Sequence, residues 1–300
     1  MQAEDLPELI KGSTGIATNG AIDIAYEFIS SGQKDAETIL LVMGHSGSML
    51  RWPMHFIQPL LEAGYNIIRY DNRGLGKSSW MKDWAKDNAY NLEDMATDAI
   101  AILDHLEIKK VHIIGMSMGG MIGQRLAISY NDRVKSLTSI MSSGYWSDPN
   151  LVSLPFKFQM NFIRAVLLYR NLHETEVKIK FNVAIYQMLL GQGKYKFDPK
   201  SLAQTIMYEI KHRGGFNAKI GDQHSLAIVK SGSRYDELKV LETPTLVLHG
   251  TDDTLIKVEH AKKYAPMIPN AKLVILDGMG HDLPEEYMIK MHKQIFAHMK

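Results

Sequence analysis

Residues 111–130 read VHIIGMSMGGMIGQRLAISY and contain the turn that decides the fold. The run 111–115 has the length and apolar character of a buried strand, and residues 118–130 have the apolar spacing of a helix. Between them, a G-x-S-x-G sequence places Ser117 two residues from a glycine on either side. This kind of strand-to-helix turn is strained and lifts a serine hydroxyl out of the sheet, so Ser117 is a candidate nucleophile.

Short apolar runs and helical patterns alternate on both sides of this turn. Strands are predicted at 21–29 (as an exposed strand), 38–43, 66–71, 134–141, 245–250 and 272–276, and helices at 52–63 and 92–106. Alternation of this kind is typical of an α/β protein whose mostly parallel sheet has helices on both faces.

The pattern changes after residue 147. Residues 148–230 contain aromatic and methionine side chains in amphipathic helical patterns and no convincing strand, and the alternation resumes near residue 244. We therefore predict an α/β core of residues 1–147 and 231–300, interrupted by a helical cap of residues 148–230.

A serine nucleophile needs a general base, and the base needs an acid that orients it. Asp253 and His281 each follow one of the last two predicted strands. They therefore lie at the carboxyl ends of parallel strands, the edge at which α/β sheets bind ligands. The order Ser117, Asp253, His281 is the serine–acid–histidine order of one fold in particular, and Asp252 is the alternative acid.

Acyl transfer also needs hydrogen-bond donors for the developing oxyanion. The backbone N–H of Met118, directly after Ser117, is one expected donor. The other is the backbone N–H of His45, which lies in a glycine- and serine-rich loop, residues 44–48, after the predicted strand at 38–43. The His45 ring is not needed for this role, and the loop is alternatively a simple turn.

Composition and motifs exclude several other classes of function. The 300 residues include 34 Lys and Arg against 33 Asp and Glu, a balance that argues against a nucleic-acid binder. There are no cysteines, so disulfides, thiolate metal sites and a cysteine nucleophile are excluded. Residues 71–78 (DNRGLGKS) lack the first glycine of a phosphate-binding loop, and no dinucleotide- or metal-binding spacing occurs. We expect neither a cofactor nor a metal ion.

Targeting and membrane signals are not evident in the sequence. The first residues lack a basic stretch followed by a long apolar run, as a secretory signal would have. No stretch free of charged residues reaches the roughly 18 positions that a membrane span requires. We expect a cytoplasmic protein without a membrane span, and the sequence predicts no particular oligomeric state.

Five segments occur in the order and at the spacing of a known family: VMGHSGSM, YDNRGLGKSS, GMSMGGMIGQ, PTLVLHGTDD and GMGHDLP. Together they resemble the α/β-hydrolase superfamily, and within it the carboxylesterase group that includes aclacinomycin methylesterase. The resemblance implies an eight-stranded, mostly parallel sheet with a helical cap inserted after strand six. It also implies Ser117 as nucleophile, Asp253 as acid, His281 as base, and an oxyanion hole at His45 and Met118.

These residues predict a serine hydrolase that cleaves a carboxylic ester through an acyl-enzyme. Apolar side chains between Phe156 and Met188 favour a small to medium hydrophobic substrate, although they would equally serve to pack the cap onto the core. A carbon–carbon bond hydrolase, an amidase, an acyltransferase or a perhydrolase would use the same triad. A non-catalytic receptor for a small ligand is a further alternative, against which the complete triad argues.

Overall fold

The protein's computed structural model describes residues 6–81, 84–151, 156–169, 174–191, 197–215, 217 and 219–300. Its strands are β1 (Ser13–Asn19), β2 (Ile22–Ile29), β3 (Thr38–Val42), β4 (Asn66–Tyr70), β5 (Val111–Met116), β6 (Val134–Ile140), β7 (Thr245–Gly250) and β8 (Lys272–Leu276). They form one eight-stranded sheet in the order β1-β2-β4-β3-β5-β6-β7-β8. β2 pairs antiparallel with β1 and β4, and all other neighbours are parallel. The predicted fold class is confirmed.

Helices cover both faces of the sheet. They are α1 (Met54–Glu62), α2 (Leu92–His105), α3 (Met118–Ser129), α4 (Phe156–Leu168), α5 (Thr175–Leu189), α6 (Pro199–His212), α7 (Ile220–Lys230), α8 (Tyr235–Leu238), α9 (Val258–Tyr264) and α10 (Glu285–Met299). One buried apolar cluster joins α2 and α3 to one face, and a second joins α1 and α10 to the other. The apolar stripes of these helices are what the sheet buries.

The predicted core strands and helices are present, with ends within two residues of the prediction. The sequence analysis did not predict β1. Its prediction that β2 is exposed is wrong, because four successive residues in the middle of β2 are buried. β2 lies between β1 and β4, and the carboxylate of its Glu27 is neutralised by Arg69 of β4 at 2.5 Å.

The insertion between β6 and β7 contains α4, α5, α6 and α7 and, in the part that the structure describes, no strand. Parts of the predicted cap, residues 152–155, 170–173, 192–196, 216 and 218, lie outside the described residues. Among the described helices, none combines the length and apolarity needed to cross a bilayer. The limits of the cap at 148 and 230 remain a prediction.

Candidate active site

Ser117 occupies a sharp turn between β5 and α3. Its backbone has φ 56° and ψ −122°, a conformation that side-chain-bearing residues rarely adopt. The backbone N–H of Ser117 donates to the Ile140 carbonyl at 2.9 Å, and the Ser142 hydroxyl donates to the Ser117 carbonyl at 2.8 Å. Both partners are at the end of β6 or just beyond it, so the neighbouring strand stabilises the strained turn.

The glycines of the turn allow main chains to approach closely. A Cβ atom at Gly115 would lie 2.3 Å from the Gly119 carbonyl oxygen, and one at Gly119 would lie 2.0 Å from the Val42 carbonyl oxygen. Any larger residue at either position would push the start of α3 away from the sheet. The G-x-S-x-G spacing is thus a steric requirement of this turn.

Asp253 lies in the loop after β7 and is completely buried. Its Oδ1 accepts hydrogen bonds from the backbone N–H groups of Leu255 and Ile256, at 2.9 and 2.8 Å. Its Oδ2 lies 2.7 Å from Nδ1 of His281. These bonds fix the carboxylate plane and aim one oxygen at the histidine.

His281 lies in the loop after β8, with only 3% of its surface exposed. Its Nδ1 faces Asp253, which leaves Nε2 as the nitrogen able to exchange a proton with a nucleophile. Its backbone N–H donates to the Leu189 carbonyl at 2.8 Å. The structure pairs His281 with Asp253, and the alternative acid Asp252 donates its backbone N–H to Met279.

The charge of Asp253 is stabilised by two histidines. Burial by itself would raise the pKa of the Asp253 carboxyl, but the adjacent His281 and hydrogen bonds from His249 and His281 outweigh it and lower the pKa below its ordinary value. Nε2 of His249 lies 2.7 Å from the Ile256 carbonyl and 3.3 Å from Asp253 Oδ2. Asp253 is therefore ionised at neutral pH.

The predicted oxyanion donors lie beside Ser117. Met118 is the first residue of α3, so its N–H is one of the helix-terminal groups without an intrahelical acceptor. A Cβ atom on Gly44 would lie 3.0 Å from Cβ and 3.5 Å from Oγ of Ser117. The peptide that joins Gly44 to His45 therefore lies next to the serine. We call residues 44–48 the oxyanion loop.

Ser117, Asp253 and His281, the residues predicted as a triad, follow β5, β7 and β8, whose carboxyl ends share one edge of the sheet. Among the described residues, Ser117 Oγ makes no hydrogen bond to the His281 ring. Catalytic hydrogen bonds of this kind are often long before substrate binds and shorten in the reacting complex. The same described residues contain no group of three histidine or acidic side chains that could hold a metal ion.

Charged residues of the loop at 71–78 form ion pairs and hydrogen bonds within the protein. Arg73 forms a two-pronged ion pair with Asp98, with both nitrogen–oxygen distances at 2.7 Å. Asp71 pairs with Arg213 of the insertion at 2.5 Å and accepts the Met49 N–H at 3.0 Å. Each of these charged groups is used in internal bonds, which agrees with the failed match to a phosphate-binding loop.

Sequence reasoning did not single out the contacts by which the insertion reaches the site. The carbonyls of Met188 and Leu189, at the end of α5, accept hydrogen bonds from Thr254 Oγ1 at 3.0 Å and from the His281 N–H at 2.8 Å. They are two of the carbonyls that a helix end leaves without an intrahelical donor. Because the insertion contributes only main-chain carbonyls to these bonds, no side-chain pattern within it indicates them.

His249 is a second group that the sequence analysis quoted only as part of a strand. Its position four residues before Asp253, at the end of β7, was the available signal. A histidine in an otherwise apolar strand needs a buried partner, and here that partner is the acid and its loop.

With this geometry in hand, comparison with known proteins identifies the class. The family model of the α/β hydrolase fold matches residues 37–286, most of the chain. The protein therefore belongs to the α/β hydrolase family. It is similar to rhodomycin D methylesterase of Streptomyces peucetius, with 30% identity over 274 residues that cover 87% of this chain and 90% of that protein. This relative confirms the resemblance to the methylesterase group.

Two further similarities extend the comparison. A protein of Variovorax paradoxus, whose name gives carbamate hydrolysis as a proposed activity, is 39% identical over 254 residues, covering 83% of this chain and 86% of that protein. The bromoperoxidase structure from Bacillus anthracis superposes with a TM-score of 0.70 at 23% identity, covering 95% of this chain and 98% of that one. At that identity the likeness shows the fold alone.

Proposed function

We propose that the protein is a serine hydrolase that cleaves a carboxylic ester through an acyl-enzyme. One observation carries the proposal: a serine in a strained strand-to-helix turn shares a sheet edge with a buried, hydrogen-bonded aspartate–histidine pair. The similarity to a methylesterase supports an ester as the bond cleaved. The roles of Ser117, Asp253, His281, His45 and Met118 below are part of this proposal.

In the first half-reaction, Nε2 of His281 accepts the proton of the Ser117 hydroxyl while Oγ attacks the carbonyl carbon of the ester. The carbonyl π electrons move to oxygen and give a tetrahedral oxyanion. Collapse of this intermediate breaks the bond to the leaving oxygen, which takes the proton from His281 Nε2. An alcohol departs and an acyl-Ser117 ester remains.

In the second half-reaction, His281 takes a proton from water, and the resulting hydroxide attacks the acyl carbon. The second tetrahedral intermediate collapses to the carboxylic acid as its bond to Ser117 Oγ breaks, and His281 gives its proton to that oxygen. The backbone N–H groups of His45 and Met118 stabilise both oxyanions. Each such donor typically contributes about 10²–10³ in rate because it is already oriented when charge develops.

Asp253 has a fixed electrostatic role in both steps. Its ionised Oδ2, 2.7 Å from Nδ1 of His281, holds the tautomer that leaves Nε2 free to accept a proton. It also stabilises the positive imidazolium that forms in each step. Since the neighbouring histidines outweigh the effect of burial and leave the pKa of Asp253 below its ordinary value, the carboxylate is ionised at neutral pH.

The substrate that we propose is small to medium in size and hydrophobic. Apolar side chains on α4 and α5, in the segment predicted as the cap, support it, as in the sequence analysis. Carbamates form a second candidate class, favoured by the 39% identity to the Variovorax protein. A carbamate presents the same carbonyl to Ser117 and differs in the nitrogen beside it.

The decisive experiment measures hydrolysis of p-nitrophenyl esters from acetate to dodecanoate, with a p-nitrophenyl carbamate in parallel. We expect turnover with an optimum at one acyl length and loss of about 10³-fold or more in Ser117→Ala. Ser201→Ala, on the exposed start of α6, is the matched control and should retain full activity. An active Ser117→Ala enzyme would refute the proposal.

A second measurement distinguishes ester hydrolysis from the other reactions that a serine triad can catalyse. A p-nitrophenyl phosphonate should transfer its phosphonyl group to Ser117 Oγ and release p-nitrophenolate. Mass spectrometry of the intact protein detects the added phosphonyl group. Labelling without ester turnover would refute ester hydrolysis and favour carbon–carbon cleavage, acyl transfer or perhydrolysis. A folded protein with neither labelling nor turnover would favour the receptor alternative.

A further inference from the structure

We propose that Glu209 and His224, two buried side chains of the insertion, are positioning residues that hold the oxyanion loop in its catalytic geometry. The inference rests on the proposed function, because it concerns the loop that supplies the His45 N–H. Neither residue belongs to the triad or to a recognised motif. Both are polar groups that the mechanism above does not use.

Glu209 approaches the oxyanion loop from α6. Only 3% of its surface is exposed, and its Oε1 accepts a hydrogen bond from the hydroxyl of Ser48. The Ser48 oxygen in turn accepts the Leu50 N–H at 3.2 Å, which caps a short 3₁₀ turn at Met49–Arg51. Removing a carboxyl from water is costly without a partner, so this bond couples the position of α6 to the end of the loop.

His224 approaches the other side of the same loop from α7. It is completely buried; its Nδ1 accepts the Ser46 N–H at 3.1 Å, and its Nε2 donates to the Arg73 carbonyl at 3.2 Å. The two bonds together require the neutral Nε2–H tautomer. Ser46 has φ 56°, in the left-handed region, so a bond to its N–H helps to stabilise an otherwise unfavourable conformation.

His45, the residue before Ser46, strengthens the connection between the oxyanion loop and α7. Nε2 of the His45 ring lies 3.0 Å from both the Gly221 carbonyl and the Ser225 hydroxyl. The loop is therefore tied to the insertion at residues 45, 46 and 48, immediately around the N–H group that would bind the oxyanion. A displacement of about 1 Å in a positioned catalytic group typically costs about 10²-fold in rate.

These contacts assign the insertion a part in transition-state stabilisation. A merely structural attachment would have a different signature. The Asp71–Arg213 ion pair also joins α6 to the core, so loss of Glu209 need not detach the helix. If Glu209 and His224 only held the insertion in place, their removal would lower stability or weaken substrate binding and leave kcat unchanged.

The test compares kcat and KM for Glu209→Ala and Glu209→Gln, and for His224→Gln and His224→Asn. Glu209→Ala should lower kcat at least about 10-fold, with KM within about twofold, because the missing bond matters most for the oxyanion. Glu209→Gln retains an amide oxygen for Ser48 and should recover most of kcat. His224→Asn keeps an acceptor near the Nδ1 position, so its kcat should be higher than that of His224→Gln.

Controls separate positioning from folding. Glu176→Ala removes an exposed carboxylate of α5 and should leave kcat, KM and thermal stability unchanged. The rate of phosphonate labelling should fall in parallel with kcat, because the phosphoryl oxygen occupies the oxyanion position. Unchanged kcat in Glu209→Ala and His224→Gln, or an increase in KM alone, would overturn the inference.

A readout independent of turnover keeps the inference testable if the proposed function fails. Amide hydrogen exchange in the peptide covering residues 44–51 should be faster in Glu209→Ala and His224→Gln than in the wild type. Absence of wild-type ester turnover and labelling would refute the proposed function. Unchanged exchange in both variants would refute the positioning role, whatever the activity.

Discussion

The core sheet and the insertion differ in how much of their packing is apolar and how much is polar. Strands β3 and β7 are buried along their whole length, between helices whose apolar stripes face the sheet. In α4, by contrast, several large apolar side chains are exposed, among them Phe156 at 76% and Leu167 at 63%. The insertion reaches the core through a smaller apolar contact, Tyr208 of α6 with Met49 and Leu50, and through buried polar contacts, such as Arg213 with Asp71.

This difference indicates which kind of substitution each region tolerates least. Apolar burial is distributed over many residues, so the sheet positions the triad through a large number of weak contacts. Near Ser117 the insertion also makes a few directed bonds, which reach residues 45, 46 and 48. A single polar substitution in the insertion should therefore affect catalysis, while a single apolar substitution on its surface should do little.

The largest expected effect lies in the core site. Asp253→Asn should lower kcat by about 10⁴-fold, because an amide at this position favours the wrong tautomer of His281 and leaves its positive charge unbalanced. The matched variant Asp252→Asn should stay within about fivefold of the wild type, since Asp253 and not Asp252 faces the ring. Ester kinetics of the two variants provide the check, and equal losses would contradict the assignment of the acid.

The next effect tests the attachment of the insertion. Arg213→Ala should lower the free energy of unfolding by about 3–5 kcal/mol, because it leaves the Asp71 carboxylate buried without its cation. Lys211→Ala, on the exposed side of the same helix, should change it by less than about 0.5 kcal/mol. Urea unfolding measures both values. A small loss in Arg213→Ala would mean that apolar packing holds the insertion after all.

Two leucine-to-alanine substitutions compare the apolar packing of the sheet with that of the insertion. Leu40→Ala in β3 should lower the free energy of unfolding by about 2–5 kcal/mol, because it leaves a cavity in a closely packed core. Leu167→Ala in α4 should change it by about 0.5 kcal/mol or less, as its side chain is mostly in solvent. Thermal and urea unfolding would show the contrast. Similar losses would show that α4 buries its apolar face in solution.

The smallest expected effect is a pH dependence of stability. Since the pKa of Asp253 is lower in the folded protein than the value of about 3.9 in an unfolded chain, its ionised form stabilises the fold at pH values above about 4. This stabilisation declines as the pH falls below about 4 and is lost as it passes the folded-state pKa. The stability difference between wild type and Asp253→Asn should thus shrink from pH 7 to pH 3. A difference independent of pH would contradict the lowered pKa.

The core could be predicted because its signals are local. The period of two or 3.6 residues marks the strands and helices, and Ser117 is surrounded by the glycines that its turn requires. β2 shows the limit of that reasoning. A charged residue in an alternating run indicates a solvent-exposed face when no partner for its charge is known. Glu27 has such a partner in Arg69 of another strand, and it is therefore buried.

The polar contacts of the insertion could not be predicted for a related reason. Glu209 is 161 residues from Ser48, and His224 is 178 residues from Ser46. Both belong to helices whose sequences look like ordinary amphipathic surfaces. Only the three-dimensional packing of α6 and α7 against the oxyanion loop shows that these two side chains face inward.

The carbonyl contacts at the end of α5 have a consequence for which side chains this segment can accept. Met188 and Leu189 reach the acid and base loops through main-chain oxygens, which every amino acid possesses. Side chains at these two positions can therefore be exchanged without removing the bonds. Gly191 is different, because a Cβ atom there would lie 2.4 Å from the Gly278 carbonyl oxygen. A mutant library of this segment should randomise positions 188 and 189 and keep the glycine.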